Sequence, residues 1–288
     1  MMLGFSHALP TLATRRPADP VAVARLRLTQ GSLLAGVSFS RASTAMRIAP
    51  SGLYESVAAN AARLDHDPLT LAPRGLLVEA AATNRVQNGS DLSNASWTRS
   101  ALTLSGGSVT GPEGSAVPGW SIGEGYAYQD FATTSGAQYA TSVWLRANKT
   151  AVVGLRNLSN SFSANVNISL TTGWKRFSLS GVADSATSRF LLDNRTAYGY
   201  GTSGLEISLW AAQVEPGTKS TSPIITTTTR AADMPGLSGI SGTYDVRLIY
   251  DDMSTTVLGS QAITSGWWPA QARPHLREMA IFQAGALS

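Results

Sequence analysis

Tyr139-Ala140-Thr141-Ser142-Val143-Trp144-Leu145-Arg146 alternates in character along its length. Tyr139, Thr141, Val143 and Leu145 fall on one side of an extended chain; Ser142, Trp144 and Arg146 fall on the other. Successive side chains of a strand point to opposite faces, so this is a half-buried strand with its aliphatic side inward. Leu205 to Trp210 repeats the pattern, with Leu205, Ile207 and Leu209 set against Glu206, Ser208 and Trp210. Similar short pieces surround these two: Leu76 to Ala80, Tyr126 to Phe131, Ala151 to Leu158, Trp174 to Ser180 and Arg189 to Asn194. Gly106-Gly107, Gly111-Pro112, Ser135-Gly136, Thr172-Gly173 and the run 199–204 punctuate them as turns. Short strands at this spacing predict an all-β protein, an antiparallel sandwich or jelly roll.

Outward from that centre the pattern loosens. Residues 37–74 alternate short apolar pieces with turns, and only Glu55 to Leu64, through its alanines, is helix-competent. Residues 1–35 read as an extended arm and linker, in which Val21 to Leu28 fits a strand or a helical turn equally. Beyond Asp233 a Gly/Ser-rich stretch, Pro235 to Gly242, leads to strands at Tyr244 to Tyr250, Thr255 to Leu258 and Leu276 to Phe282. The division expected is an arm (1–35), a jelly roll (36–235) and a small C-terminal β unit (236–288) that packs on a neighbour, being too small for much core.

Composition excludes several classes of function. Of 288 residues, 43% are hydrophobic and 14% charged, which suits a cored all-β chain and not a helical bundle. Cysteine is absent, so neither disulfides nor thiolate metals hold the fold. The net charge of +4 is carried by scattered arginines, lysine occurring only at 149, 175 and 219. A nucleic-acid reader needs a basic stripe with interleaved aromatics, so no nucleic-acid partner is expected. No apolar run is long enough to span a bilayer, and Arg15 and Arg16 follow the apolar start instead of preceding it, against a secretory signal.

Motifs of catalysis are also missing. Gly199-Tyr200-Gly201-Thr202-Ser203-Gly204 has the spacing of a dinucleotide loop, but a strand pattern follows it where a helix is required. His7, His66 and His275 stand far apart without metal-ligand spacing, and the Asn-x-Ser/Thr sites at Asn88, Asn94, Asn148, Asn157, Asn167 and Asn194 match chance in so Ser/Thr-rich a chain. Glu113, Glu124, Asp130, Glu206 and Glu215 supply carboxylates without singling out a hydrolytic pair. For Glu215, with Gln213, a hydrogen-bonded strand end, a role in fold closure or a structural Ca²⁺ site remain open. The reading is therefore a non-enzyme with no catalytic residue, metal or cofactor. What remains is an aromatic and polar set: Trp120 in a Gly-rich loop, Tyr126, Tyr128 and Asp130 on one strand face, Arg146, Arg156 and Asn194. Sugar rings stack on aromatic faces while planar polar groups take their hydroxyls, so these residues form a candidate carbohydrate groove. Trp144, Trp174 and Trp210 read as core.

Two brackets enclose this middle. The first is Phe39-Ser40-Arg41-Ala42-Ser43-Thr44-Ala45, then Gly75-Leu76-Leu77-Val78-Glu79, Thr83-Asn84 and Asn94-Ala95-Ser96-Trp97. The second is Trp210-Ala211-Ala212-Gln213-Val214-Glu215-Pro216-Gly217, closing with Thr229-Arg230-Ala231-Ala232-Asp233. Together they resemble the carbohydrate-binding-type (concanavalin-like) jelly rolls of bacteriophage and gene-transfer-agent spike, fibre and tail proteins. The resemblance implies a structural and adsorption component on a phage-like particle surface, assembled in the bacterial cytoplasm. It implies a homo-oligomer (trimer or pentamer), anchored through its arm to other virion proteins (capsid, spike or fibre subunits) and binding host surface or capsular polysaccharide. A polysaccharide-degrading tailspike-type enzyme and a purely architectural subunit are the alternatives.

Overall fold

The computed structural model describes residues 20–30, 36–156, 165–225 and 229–287. Most of the expected anchoring arm, with Arg15, Arg16 and His7, lies outside them, as does Asn157. The chain begins with seven short strands: β1 (Ala24–Arg27), β2 (Val37–Ser40), β3 (Ala45–Ile48), β4 (Tyr54–Val57), β5 (Arg63–His66), β6 (Pro73–Leu77) and β7 (Ala82–Thr83). Eight longer ones follow: β8 (Thr98–Thr110), β9 (Ala116–Ala132), β10 (Gln138–Ala147), β11 (Ala151–Arg156), β12 (Asn165–Leu170), β13 (Lys175–Val182), β14 (Thr187–Asp193) and β15 (Leu205–Pro216). β16 (Thr229–Arg230), β17 (Met234–Leu237), β18 (Gly242–Tyr250), β19 (Thr255–Ile263) and β20 (His275–Gln283) complete it. The only helical element among the described residues is a 3-10 turn, Thr196–Tyr198.

The all-β antiparallel architecture is as expected. β8 to β15 form one antiparallel sheet, ordered β12-β11-β14-β9-β15-β10-β13 with β8 on β9. β9 serves both halves: Trp120 to Ile122 pair with β15, whereas Tyr126 to Ala132 pair with β14. Gly123 and Gly125 separate the two stretches, and a side chain on Gly125 would collide with the Ser100 carbonyl. The sheet turns on itself there. Val143, Leu145 and Ile207 from one half meet Val153, Leu155 and Phe190 from the other in a single buried cluster. Val143, Leu145 and Ile207 lie on the aliphatic faces that alternation assigned inward, and each fully buried side chain contributes about 1.5–3 kcal/mol.

Glu55 to Leu64 is not helical. Tyr54–Val57 pairs with Ala45–Ile48, and Arg63–His66 pairs along β6, with Asn60 in a left-handed turn between them (φ 59°). Cross-strand pairing of Tyr54 and Val57 outweighs the helix preference of four alanines, Ala58, Ala59, Ala61 and Ala62. Val21 to Leu28 resolves as a strand, β1.

The C-terminal strands do not stand by themselves. β18, β19 and β20 share a six-stranded sheet with β5, β6 and β1, ordered β19-β18-β20-β6-β5 with β1 also on β20. Val246, Leu248, Met279 and Ile281 are buried with Leu26, Leu64 and Leu76 in a second core. Segment 236–288, expected as a unit of its own, thus finds its neighbour inside the same chain. Lacking enough apolar surface to fold alone, it completes its core with β1, β5 and β6, which lie far upstream in sequence.

The bracket motifs meet at the junction of the two sheets. Arg41 Nη1 donates to Asp233 Oδ1 at 3.0 Å, Arg63 Nη2 donates to Asp233 Oδ2, and Arg63 Nη1 lies 2.8 Å from Glu79 Oε2. Arg230 Nη2 stands 3.6 Å from the same Glu79 oxygen. All five side chains are buried. Glu79 accepts from the backbone N–H and hydroxyl of Ser222, and Glu215 accepts from those of Thr221. Gln213 Nε2 donates to Glu215 Oε1 at 2.6 Å, so the Q-x-E piece is a hydrogen-bonded strand end. Asn84 bridges β15 to residue 224 with four hydrogen bonds, to Val86 N, Val214 N, Ala212 O and Ile224 O.

Two of these carboxylates respond oppositely to acid. Burial alone would raise the Glu79 carboxyl, but Arg63, Arg230 and the Ser222 hydrogen bonds overcome it and hold it at about 2, against 4.5 ordinarily. Its stabilisation is therefore complete above pH 4.5 and is lost as pH falls from 4.5 towards 2, about 3 kcal/mol in all. Burial pushes Glu215 up, more than its bonds from Thr221 and Gln213 lower it, so stability is lost as pH rises through its raised pKa. We expect Glu79→Gln to flatten the acid limb of a stability–pH curve while lowering the plateau, and Glu215→Gln to leave the plateau unchanged or higher. Urea midpoints between pH 3 and 7 check both; a plateau unmoved by Glu79→Gln contradicts the assignment.

Candidate functional site

The two outer faces of the sandwich have different fates. Behind β10, β13 and β15 the face is covered: Tyr54 stands edge-on to Trp144 at 5.8 Å and tilted on Trp210 at 5.3 Å, in a small cluster with Met46 and Val117. A bulge at Ala211 (φ 52°) lets both Trp210 and Ala211 point to this side. Trp144 and Trp210 are thus packed against the β3–β4 hairpin, and Trp174 joins the same cluster and donates to the Thr110 carbonyl, none of the three in the sandwich interior. Among the described residues no strand packs over the opposite face, on β9, β14, β11 and β12.

Aromatic rings and guanidinium groups alternate across that open face. Tyr126 and Tyr128 lie two apart on β9 and therefore side by side, their rings stacked at 5.8 Å and 30°. Opposite them β14 brings Arg189, and the turn that follows it brings Arg195. Arg189 Cζ sits 3.7 Å from the centre of the Tyr128 ring, and Arg195 Cζ sits 4.4 Å from Tyr126 and 4.5 Å from Tyr198. Each guanidinium is fixed by a two-point carboxylate contact: Arg189 to Asp130 at 2.6 and 2.7 Å, Arg195 to Asp193 at 2.8 and 2.7 Å. Those bonds raise the pKa of both arginines, so they hold their charge throughout the working range. Tyr200 extends the row. Its ring lies flat over Gly154, where a Cβ would stand 2.6 Å from the ring, and its hydroxyl donates to Asn167 Oδ1 at 2.9 Å.

The structure brings together only part of the expected set. Tyr126, Tyr128 and Asp130 share the open face, Tyr126 and Tyr128 half-buried and Asp130 exposed. Arg156 is on the same face but fully covered; burial lowers its pKa, with Arg189 and Arg195 adding to the effect and Asp193 opposing. Trp120 is not in a loop: it lies within β9, 5% exposed, in the sandwich core. Asn194 is wholly buried and spends its side chain on the 199–204 loop, donating to Ile122, Gly123 and Thr202 carbonyls and accepting from Gly201 and Thr202 N–H groups. Arg146 lines a separate recess of about 150 Å³ with Ser105, Gly119, Glu206 and Ser208. Alternation places a residue on a face, but which of two layers the strand joins is a tertiary matter. Arg189, Arg195, Tyr198 and Tyr200 were missed; the one signal present was Arg189 on an alternating strand.

No group of three or more His, Asp or Glu side chains could hold a metal ion among the described residues. No family model and no curated protein matches this chain. Among solved structures the chain is similar to a CBM4 module, at 16% identity and TM-score 0.35 over 46% of this chain and 99% of that one. It is also similar to TmCBM61 in complex with beta-1,4-galactotriose, at 13% identity and TM-score 0.32 over 46% and 99%. A third is the enzymatically active domain of bacteriophage CBA120 tailspike protein 4, at 14% identity and TM-score 0.29, over 49% of this chain but only 22% of that one. Identities of 13–16% leave the function to be read from the chain's own residues.

Proposed function

We propose that this protein is a non-enzymatic adsorption component of a phage-like particle that binds host surface polysaccharide across the open face of its sandwich. The observation that carries the reading is the Tyr126–Tyr128 pair, stacked and buttressed by Arg189 and Arg195. Rings held at fixed tilt by paired guanidiniums offer a flat apolar platform at little ordering cost, while the Asp130 and Arg189 edges provide hydroxyl partners. A flat platform suits a chain of sugars lying across it, bound weakly per site and strengthened by several copies on one particle. The particle setting rests on the bracket motifs, and oligomers are part of this proposal.

Glycan-array binding of the intact chain, followed by a reducing-end assay on the best ligand, tests it. Binding without release of reducing ends is expected. Turnover would replace this reading with the depolymerase one, and absence of any glycan binding would leave an architectural subunit. Gly154→Ala should lift Tyr200 off the sheet, break its bond to Asn167 and weaken glycan binding several-fold, about 1 kcal/mol, with the thermal midpoint little changed. Isothermal titration beside a melting curve separates the two effects.

A further inference from the structure

We propose a second ligand site, for the carboxylate or phosphate group of a small anion, in the cleft between the two sheets behind the covered face of the sandwich. Two adjoining cavities, of about 450 and 200 Å³, share Glu79, Ser220, Thr221 and Pro274 as walls. The inner one is lined by three arginines, Arg47, Arg74 and Arg176, and by His275. Two arginines are matched: Arg47 by Glu55, and Arg74 by Asp251. His275 Nε2 meets Asp65 at 2.7 Å.

Arg176 has no carboxylate within ion-pair distance among the described residues. Its Nη2 donates to Ser142 Oγ at 2.9 Å and to the Thr221 carbonyl at 2.6 Å, and both partners are neutral. Its remaining N–H groups make no hydrogen bond among the described residues. The Ser220 hydroxyl, on the wall common to both cavities, is buried without a hydrogen-bond partner among the described residues, whereas His275 Nδ1 faces Asp251 Oδ2 at 3.7 Å. Two carboxylates also face the cleft, but both are already engaged. Glu79 is committed to Arg63, Arg230 and Ser222, and Asp65 to His275 and the Ile48 N–H. Behind them the junction holds Arg41, Arg63 and Arg230 against Glu79 and Asp233, and Glu215 is engaged by Thr221. At the mouth of the larger cavity Lys219 is exposed and likewise has no ion pair among the described residues, while Arg273 is held by Asp251 and Asp252. An unmatched guanidinium beside an unbonded hydroxyl in a concave site is complementary to an oxyanion, which would accept from both.

The site is independent of the glycan platform, with which it shares no residue. Calorimetric titration of the full chain with sodium D-glucuronate and with inorganic phosphate, with glucose as neutral control, tests it. At least one anion is expected to bind, weakening as salt rises, with glucose silent. Preference for glucuronate would mark an organic acid as the natural ligand, and preference for phosphate a phosphate group; either supports the site. Arg176→Gln should weaken binding on the order of tenfold or more, Arg176→Lys less, and Tyr128→Ala not at all. Failure of both anions to bind, binding unchanged in Arg176→Gln, or binding lost in Tyr128→Ala would each overturn the proposal. Should Arg176→Gln not fold, Ser220→Ala supplies the same comparison.

Discussion

Asp233→Ala is expected to destabilise the chain by about 3–5 kcal/mol, the largest effect of any single substitution proposed for it. Asp233 joins the two sheets. Its Oδ1 accepts from Arg41 at 3.0 Å, and its Oδ2 accepts from Arg63 and, at 2.9 Å, from the Glu79 backbone N–H. Removing it leaves two wholly buried guanidiniums without that counter-charge, and Arg63 with Glu79 alone. Such a charge retains its desolvation cost after losing the attraction that offset it. Arg189→Ala, by contrast, breaks an exposed pair on Asp130 and should cost under about 1 kcal/mol. Urea unfolding of the two variants measures the contrast; equal midpoints would mean that the junction is not what holds the sheets together.

Replacing Tyr126 and Tyr128 together by alanine should lower glycan affinity on the order of a hundredfold, since aromatic anchors at the centre of a binding surface carry most of its energy. Both rings are half-buried on an outer face and neither belongs to a core cluster, so the fold should persist. Arg189 and Arg195 keep Asp130 and Asp193 in the variant, which leaves the charge of the face unaltered. A charge-driven site would therefore lose little, whereas a stacking platform loses its surface. Affinity for the best array glycan, compared with Arg189→Lys, distinguishes them: the lysine keeps the charge but not the planar contact with Tyr128.

Strand alternation was legible because it is local. The aliphatic sides of Tyr139–Leu145 and Leu205–Leu209 face the core as their period requires, and Tyr126, Tyr128 and Asp130 share the outward side of β9. The bracket motifs were visible as motifs but not as chemistry. Nothing in FSRAST, GLLVE or TRAAD announces that Arg41, Glu79 and Asp233 meet around Arg63, a residue outside all three pieces. Arg195 and Tyr198 escaped notice because they lie in a turn, where no period assigns a face.

By itself, then, the order of residues determined the all-β class, the inward and outward sides of Tyr139–Arg146 and Leu205–Leu209, and the lack of thiol chemistry, since each depends on near neighbours or on composition alone. Only the tertiary structure decided which outward side is covered. Trp144 and Arg146 have the same alternating signature as Tyr128 and Asp130, yet the β3–β4 hairpin packs over Trp144, whereas among the described residues no strand packs over the half-buried Tyr128. The reason is that covering a face is a contact between segments distant in sequence, here Tyr54 with Trp144 and Trp210, and period-two geometry has no term for it.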